Sequence, residues 1–398
     1  MNKIYQTAII GGGAAGLMSA VELVSGSNAL NGKDVVILER NDRVGKKLIA
    51  TGNGQGNLTN LNFGASFYYG EKPFIDAFIE NYNKVDLISY LNNLGIITFS
   101  NKDGKVYPLS RQASSVLDII RAILNEKGVE EKTLCQVNNI VLDKSNYKIS
   151  TDKDTFYAKT VIIATGGAVA KQFGTDGSAY KLVENFGHEK TKLYPSLVQL
   201  KTDLDKIRGL KGLKEAAKVS AVVKDKEIMT ATGDILFTEF GVSGSTIFSL
   251  SASVVDKEDA KIKIEFLPDL TESEIERILL GRQGKVFNGE NYLLGMINKR
   301  IGQAVIKSAK SLDAKTVAKA LKNFTLKVNG NLGANYAQVT KGGIKTEKID
   351  KQTYQSKLSK NLYIVGEALN IDGDCGGYNL AFAFVSAIMA SKSIKESV

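Results

Sequence analysis

Gly11, Gly13 and Gly16 stand at the spacing G-x-G-x-x-G, and Glu39 follows Gly16 by 23 residues. Such glycines have distinct uses: a tight turn, a close approach of backbone to a pyrophosphate, and close packing of a helix on a strand. The amino terminus of that helix presents free N–H groups and partial positive charge to the phosphates. A carboxylate where Glu39 stands accepts hydrogen bonds from ribose hydroxyls. The elements needed to hold these residues flank them. Ala8-Ile9-Ile10 and Val35-Val36-Ile37-Leu38 are apolar runs suited to buried parallel strands, and Leu17 to Leu23 carries apolar residues at helical spacing. An ordinary glycine-rich turn would leave Glu39 unexplained, so a dinucleotide site is expected.

A second group lies far along the chain. Leu362-Tyr363-Ile364-Val365 reads as a buried strand followed by Gly366-Glu367, and Asp372-Gly373-Asp374-Cys375-Gly376-Gly377-Tyr378-Asn379-Leu380 opens an apolar helix. A second acid and a glycine-rich helix start fit a cofactor with a polyol and a ring beyond its pyrophosphate. Glu367 or Asp372 would bond ribityl hydroxyls, and the helix start near Tyr378 would face a ring carbonyl where negative charge develops on reduction. The expected cofactor is therefore FAD. No second G-x-G-x-x-G with a downstream acid occurs, so a separate NAD(P) domain is not expected. Thr51 to Asn60, with three glycines and four side-chain amides, suits a backbone that wraps a polar ligand. Thr165-Gly166-Gly167, after the strand run Thr160 to Ala164, puts bare backbone at the same nucleotide.

Composition narrows the class. The 398 residues suggest two or three domains, and 43% hydrophobic with 24% charged residues is ordinary for a globular protein. No apolar run approaches the roughly 18 residues of a membrane span, so a bacterial-type cytoplasmic protein is expected. Cys135 and Cys375 form no C-x-x-C and no disulfide framework, and the single His188, at a helix end, excludes a multi-histidine metal site. The net charge of +10 could draw anions. Its lysines, though, are spread along the chain, so no nucleic-acid partner is expected; the oligomeric expectation is monomer or homodimer.

Along the chain, Phe74 to Leu94, Ser114 to Glu126 and Gly177 to Phe186 read as helices, and Gln136 to Val141 with Tyr147 to Ser150 as antiparallel strands. From Thr191 the pattern turns to short alternating strands, Val219–Val223, Glu227–Thr230, Ile235–Thr238 and Lys261–Phe266. Thr271-Glu272-Ser273-Glu274 is a capping box, and helical pattern continues to about Phe324. The expected organisation is an α/β nucleotide domain over 1–190 and 335–398, a β insertion over 191–268 and 325–334, and a small helical subdomain over 269–324. Phe237 to Thr246, rich in small polar residues, reads equally as a tight turn or as a wall of the substrate site.

Together these stretches resemble the bacterial BaiN-like flavoproteins, a group that includes aminoacetone oxidases. The resemblance runs through Gly11–Gly16, Gly45–Asn60, Ala164–Gly167, Tyr194–Val198, Leu236–Gly244, Ala337–Gly343 and Val365–Leu380. It implies a Rossmann-like FAD domain of the glutathione-reductase type, interrupted by a β-barrel that carries a helical insertion. It also implies FAD contacts at Glu39, Val137, Glu367 and around Asn379. Two departures stand out: Gln55-Gly56 where the family usually has Arg-Cys, and Glu239 and Ser245 where it usually has histidine and proline.

The candidate cofactor residues are Gly11, Gly13, Ala14, Ala15, Gly16, Glu39, Arg40, Lys47, Thr51, Gly52, Asn53, Asn57, Val137, Thr165, Gly166, Gly167, Gly366, Glu367, Asp372, Asn379 and Leu380. Candidate catalytic residues are Asn57, Glu239 and Tyr378, with Glu239 needing a raised pKa to move protons. The expected activity is FAD-dependent transfer of a hydride between a small organic substrate and flavin. An aminoacetone-type amine oxidase with O2 as acceptor is favoured slightly, because a second nucleotide fold is missing. The alternatives are an NAD(P)H-dependent reductase of an enone or steroid-like substrate, and a flavin-dependent RNA-modifying protein.

Overall fold

The computed structural model describes residues 3–282 and 286–398. The chain forms two units, one from residues up to 193 together with 339–398 and the other from 194–338.

In the first unit, continuous apolar runs become strands buried on both faces, as a parallel sheet requires. The order is Glu130–Lys132, Val35–Leu38, Ile4–Ile10, Thr155–Ile163, Asn146–Thr151 and Val137–Asp143, with Leu362–Ile364 also pairing to Thr155–Ile163. Ile9 lies between Ile37 and Ile162, and Ile162 pairs onward with Tyr363. The opening helix Ala14–Val24 is buried at every position after Ala14, and the closing helix Tyr378–Glu396 is buried over most of its length. They are joined by a buried ion pair, Lys395 to Glu22 at 2.6 Å, whose second oxygen accepts from Tyr90 Oη at 2.7 Å.

The second unit is a closed barrel of Leu200–Thr202, Gly241–Ser243, Lys226–Phe237, Lys214–Val223, Ala260–Phe266 and Phe324–Asn331. Helices Glu272–Leu280, Lys299–Ala309 and Ala314–Lys322 share its core through Ile275, Leu279, Ile301, Val305, Val317 and Leu321. The capping box at Thr271 and Glu274 forms as its sequence predicts.

Four local expectations are corrected. The helix expected over 74–94 breaks at Asp86, which takes a left-handed φ of 44° and turns its carboxylate to Ser89 N–H as the cap of a second helix. Between Gly177 and Gly187, both at positive φ, there is only a 3-10 turn and one short helix, Lys181–Glu184. The helix expected to reach Phe324 stops at Lys322, and Phe324 starts a barrel strand opposite Ile264. Ser245–Val254, part of which reads as a turn, is a helix whose Ile247, Leu250 and Val254 enter the barrel core. Among the described residues, no helix is long and apolar enough to cross a membrane, and no cluster of His, Cys, Asp or Glu could hold a metal ion.

Candidate functional site

The glycines of the opening turn differ in what surrounds them. A Cβ on Gly16 would lie 1.9 Å from the Gly11 carbonyl oxygen, so helix and strand touch there. A Cβ on Gly13 would meet nothing within 4 Å, and Gly13 begins the helix without any side-chain cap. The N–H groups of Ala14 and Ala15 therefore lie at a bare, uncapped helix start, an anion cradle. Glu39 is buried at the end of its strand. One carboxylate oxygen accepts from Gly12 N–H at 2.8 Å, and the other from the N–H and side-chain amide of Asn41 at 2.8 and 2.7 Å. Cys135 N–H donates to the Glu39 carbonyl at 2.9 Å, two residues before Val137, which starts the outer strand of the sheet. Arg40 turns its Nη1 toward a neighbouring loop, donating to Asp176, Ser178 Oγ and the Gly174 carbonyl at 2.8, 3.2 and 3.3 Å.

The second glycine-rich loop approaches the same turn, since Gly45 N–H donates to the Gly12 carbonyl at 2.8 Å. It delivers Lys47 to Glu367 at 2.6 Å, while the other Glu367 oxygen accepts from Thr340 N–H at 2.9 Å. Thr340 Oγ1 takes Ala168 N–H at 2.8 Å, and a Cβ on Gly167 would strike both Thr340 Oγ1 and Glu367 Oε1. Lys47, Gly167, Thr340 and Glu367 are thus one cluster, drawn from four separate stretches. Thr340 was missed from sequence; its one signal was its place just before Gly342-Gly343. Thr165 lies against Gly11, and Gly166 packs toward Thr175. Thr51, Gly52 and Asn53 form a tight turn in which Gly52 and Asn53 both take left-handed φ, with Thr51 Oγ1 bonded to the Leu48 carbonyl and Asn53 exposed.

The far end of the site is built around the closing helix. Its start, Gly377, has no side-chain cap, and a Cβ there would lie 2.8 Å from Asn57 Oδ1, a buried acceptor with no partner. Gly366 packs against Ala15, which ties this end to the opening helix. The strand Ile371–Gly373 pairs with Tyr68–Gly70, setting Asp372 opposite Tyr69. Asp372 is 2% exposed, its Oδ2 has no partner, and burial pushes its carboxyl up to about 7 despite the opposing charge of Lys341. Two residues on, Asp374 accepts from Tyr69 Oη at 2.8 Å and is pushed up to about 6 by burial. Burial also lifts the Tyr69 phenol far above its ordinary range. The sequence reading missed Tyr69 and Asp374 as a pair, because it arises from a strand contact some 300 residues apart along the chain.

Asn379 spends its amide on Gly373, accepting from its N–H at 2.8 Å and donating to its carbonyl at 2.7 Å. It shapes the turn. Leu380 packs half-buried on the core. Tyr378 stacks on Phe67 at 4.6 Å and donates its hydroxyl to the Asn62 carbonyl at 2.8 Å, with burial raising its phenol to about 12. It is a fixed wall rather than a free acid. Glu239 belongs to the second unit, on an exposed turn, ion-paired with Lys211 at 2.7 Å. That ion pair lies on the surface of the second unit, while the expected cofactor residues lie in the first. His188 is buried and bonded to Ser356 Oγ at 2.8 Å, a structural residue as its position predicts.

The residues suit FAD. The open cradle at Gly13 provides donors for a diphosphate, Glu39 provides an acceptor for ribose, and Asn57 Oδ1 and Asp372 Oδ2 are buried acceptors without donors of their own. The comparisons agree with that chemistry. A family model described as the HI0933-like protein Rossmann domain matches residues 5–393. The 3-dehydro-bile acid delta(4,6)-reductase of Clostridium scindens is 30% identical, with all of both chains covered. The ribosomal RNA dihydrouridine synthase of Haemophilus influenzae is 26% identical over 99% of each. In fold, the chain is similar to the 3-ketosteroid-delta4-(5alpha)-dehydrogenase of Rhodococcus jostii RHA1, with TM-score 0.51, 13% identity and 99% and 98% of the chains covered.

Proposed function

The chain belongs to the HI0933-like family and is an FAD-dependent oxidoreductase, and from that premise we propose that it reduces a carbon–carbon double bond conjugated to a ring carbonyl, with NAD(P)H as electron source. Two relatives named for quite different substrates support this reading. Reduction of an unsaturated bile acid and conversion of uridine to dihydrouridine both saturate a double bond polarised by a carbonyl. FAD, when bound, supplies the hydride in such chemistry.

The observation that carries the direction is the pair of buried carboxyls on one short stretch. Burial raises Asp372 to about 7, where it is near half-protonated at neutrality, and Asp374 to about 6, where the hydrogen bond donated by Tyr69 at 2.8 Å favours its ionised form. Saturating a conjugated double bond requires a proton at the carbon next to the carbonyl, and a buried acid near half-protonation at neutrality, as Asp372 is, suits that task. An amine oxidase has no such need. The uncapped helix starts at Gly13 and Gly377 and the Lys47–Glu367 pair hold and orient the cofactor. Uridine in RNA and steroid-like enones are the two substrate classes to try.

The test is anaerobic stopped-flow mixing. NADPH or NADH is expected to bleach the flavin, and uridine-bearing RNA or an enone to restore it faster than O2 does. Bleaching by aminoacetone alone, followed by rapid reoxidation by O2 with peroxide release, would overturn the proposal in favour of the oxidase.

A further inference from the structure

Residues 299–322 hold seven basic residues and one acid in a chain whose whole net charge is +10. They form two helices, Lys299–Ala309 and Ala314–Lys322. Each helix buries an apolar stripe in the core of the second unit, through Ile301 and Val305 on one and Val317 and Leu321 on the other. What remains outward is cationic. Lys299, Arg300, Lys307, Lys310, Lys315 and Lys319 are all exposed, with Lys315 and Lys319 one turn apart and Arg300 and Lys307 two turns apart. Only Lys322 is tied down, to Glu265 at 2.7 Å.

None of the six exposed cations has a carboxylate within ion-pairing distance among the described residues. Elsewhere in the same unit, Lys211, Lys214, Lys218, Lys257, Lys261 and Lys263 are each paired with an acid, while Lys201 and Lys226 of the barrel strands are exposed without an ion pair among the described residues. The acids that border the cationic face are largely occupied. Asp313 caps Thr316, Glu290 takes the Gln303 amide, and Glu215 takes Asn298 N–H. Glu272 and Glu276 stand on the neighbouring helix Glu272–Leu280.

We propose that this face is the docking surface for the sugar–phosphate backbone of an RNA substrate. It rests on the reductase reading above and selects, of its two substrate classes, uridine in RNA. Flexible, unpaired lysines spread over two helices match a row of phosphates, and they attract it without reading sequence.

The experiment uses the full-length flavin-loaded protein and a fluorescent, uridine-bearing RNA hairpin, with anisotropy followed from about 50 to 250 mM salt. The fourfold variant Lys307→Gln, Lys310→Gln, Lys315→Gln, Lys319→Gln is expected to bind at least about tenfold more weakly. Its plot of log affinity against log salt should be flatter by about 3, close to 0.7–0.9 per cation removed. The matching fourfold change to arginine should restore binding, and flavin content should be unchanged in both. An unchanged salt slope, no hairpin binding by the native protein, or binding to anionic vesicles with none to RNA would each overturn the docking surface. Flavin bleaching by NADPH is read on the same samples. Lysine-dependent RNA binding without any bleaching would defeat the reductase reading and leave the docking surface standing.

Discussion

Gly13 and Gly16 are three residues apart and face opposite constraints. Gly16→Ala forces a methyl to 1.9 Å from a carbonyl oxygen, and overpacking of that kind costs about 1–3 kcal/mol or more. Gly13→Ala meets no protein atom. It is expected to melt within a degree or two of the native protein while losing most of its bound flavin, seen as the ratio of visible to ultraviolet absorbance; full flavin content would show that the turn does not hold the diphosphate. Asp372 supports a prediction about pH. Its carboxyl is raised from the ordinary range to about 7, so the folded chain binds a proton there that the unfolded chain releases near 4. A raised acid makes folding less favourable as pH rises between those values, by about 4 kcal/mol at most. Asp372→Asn should therefore raise the melting temperature of the flavin-free protein at pH 8 far more than at pH 5. An equal effect at both would mean that the group is not protonated when buried.

The opening and closing helices are the elements on which both ends of the site depend. Ser391 Oγ reaches the Ser19 carbonyl at 3.1 Å, and the Lys395–Glu22 pair lies further along the same contact with both side chains under a tenth exposed. Lys395→Met leaves Glu22 as a buried charge and should destabilise by about 3–5 kcal/mol, whereas Glu22→Leu combined with Lys395→Met should recover most of that loss. Equilibrium urea unfolding of the two variants measures the difference. Much of this layer was legible because its signals are local: apolar strand runs, the glycines of each turn and the acid at a strand end. What was not legible depends on partners distant in sequence or on polar side chains competing with the backbone. Asp86 reads as one more helical residue until its carboxylate finds Ser89 N–H. Ser245–Val254 is apolar but only weakly amphipathic, its hydroxyls spread round the helix, and it buries Ile247, Leu250 and Val254 in the barrel core. Lys47 with Glu367 and Tyr69 with Asp374 are each joined across some 300 residues of chain. Arg40 was the opposite case, a residue beside the ribose acid whose side chain is used by a neighbouring loop.

At the scale of the molecule, each unit has a core of its own, and every cofactor residue expected from sequence lies in the first unit. Calorimetry should therefore show FAD moving only the first unit's transition, with about 2.7 kcal/mol of stabilisation at a hundredfold excess over Kd. A shift of both transitions by the same amount would mean that the units unfold as one. The order of the sheet has a further consequence, for synthesis. Strand Thr155–Ile163 has residues 161–163 paired to Leu362–Ile364, which follow about 200 residues later. Translation at 5–20 residues per second separates the two by about 10–40 s. Through that interval the nascent chain carries an apolar sheet edge open to any other strand, the kind of surface that seeds aggregation. Until Leu362–Ile364 has been made, the first unit's sheet and the cofactor residues beyond it are incomplete.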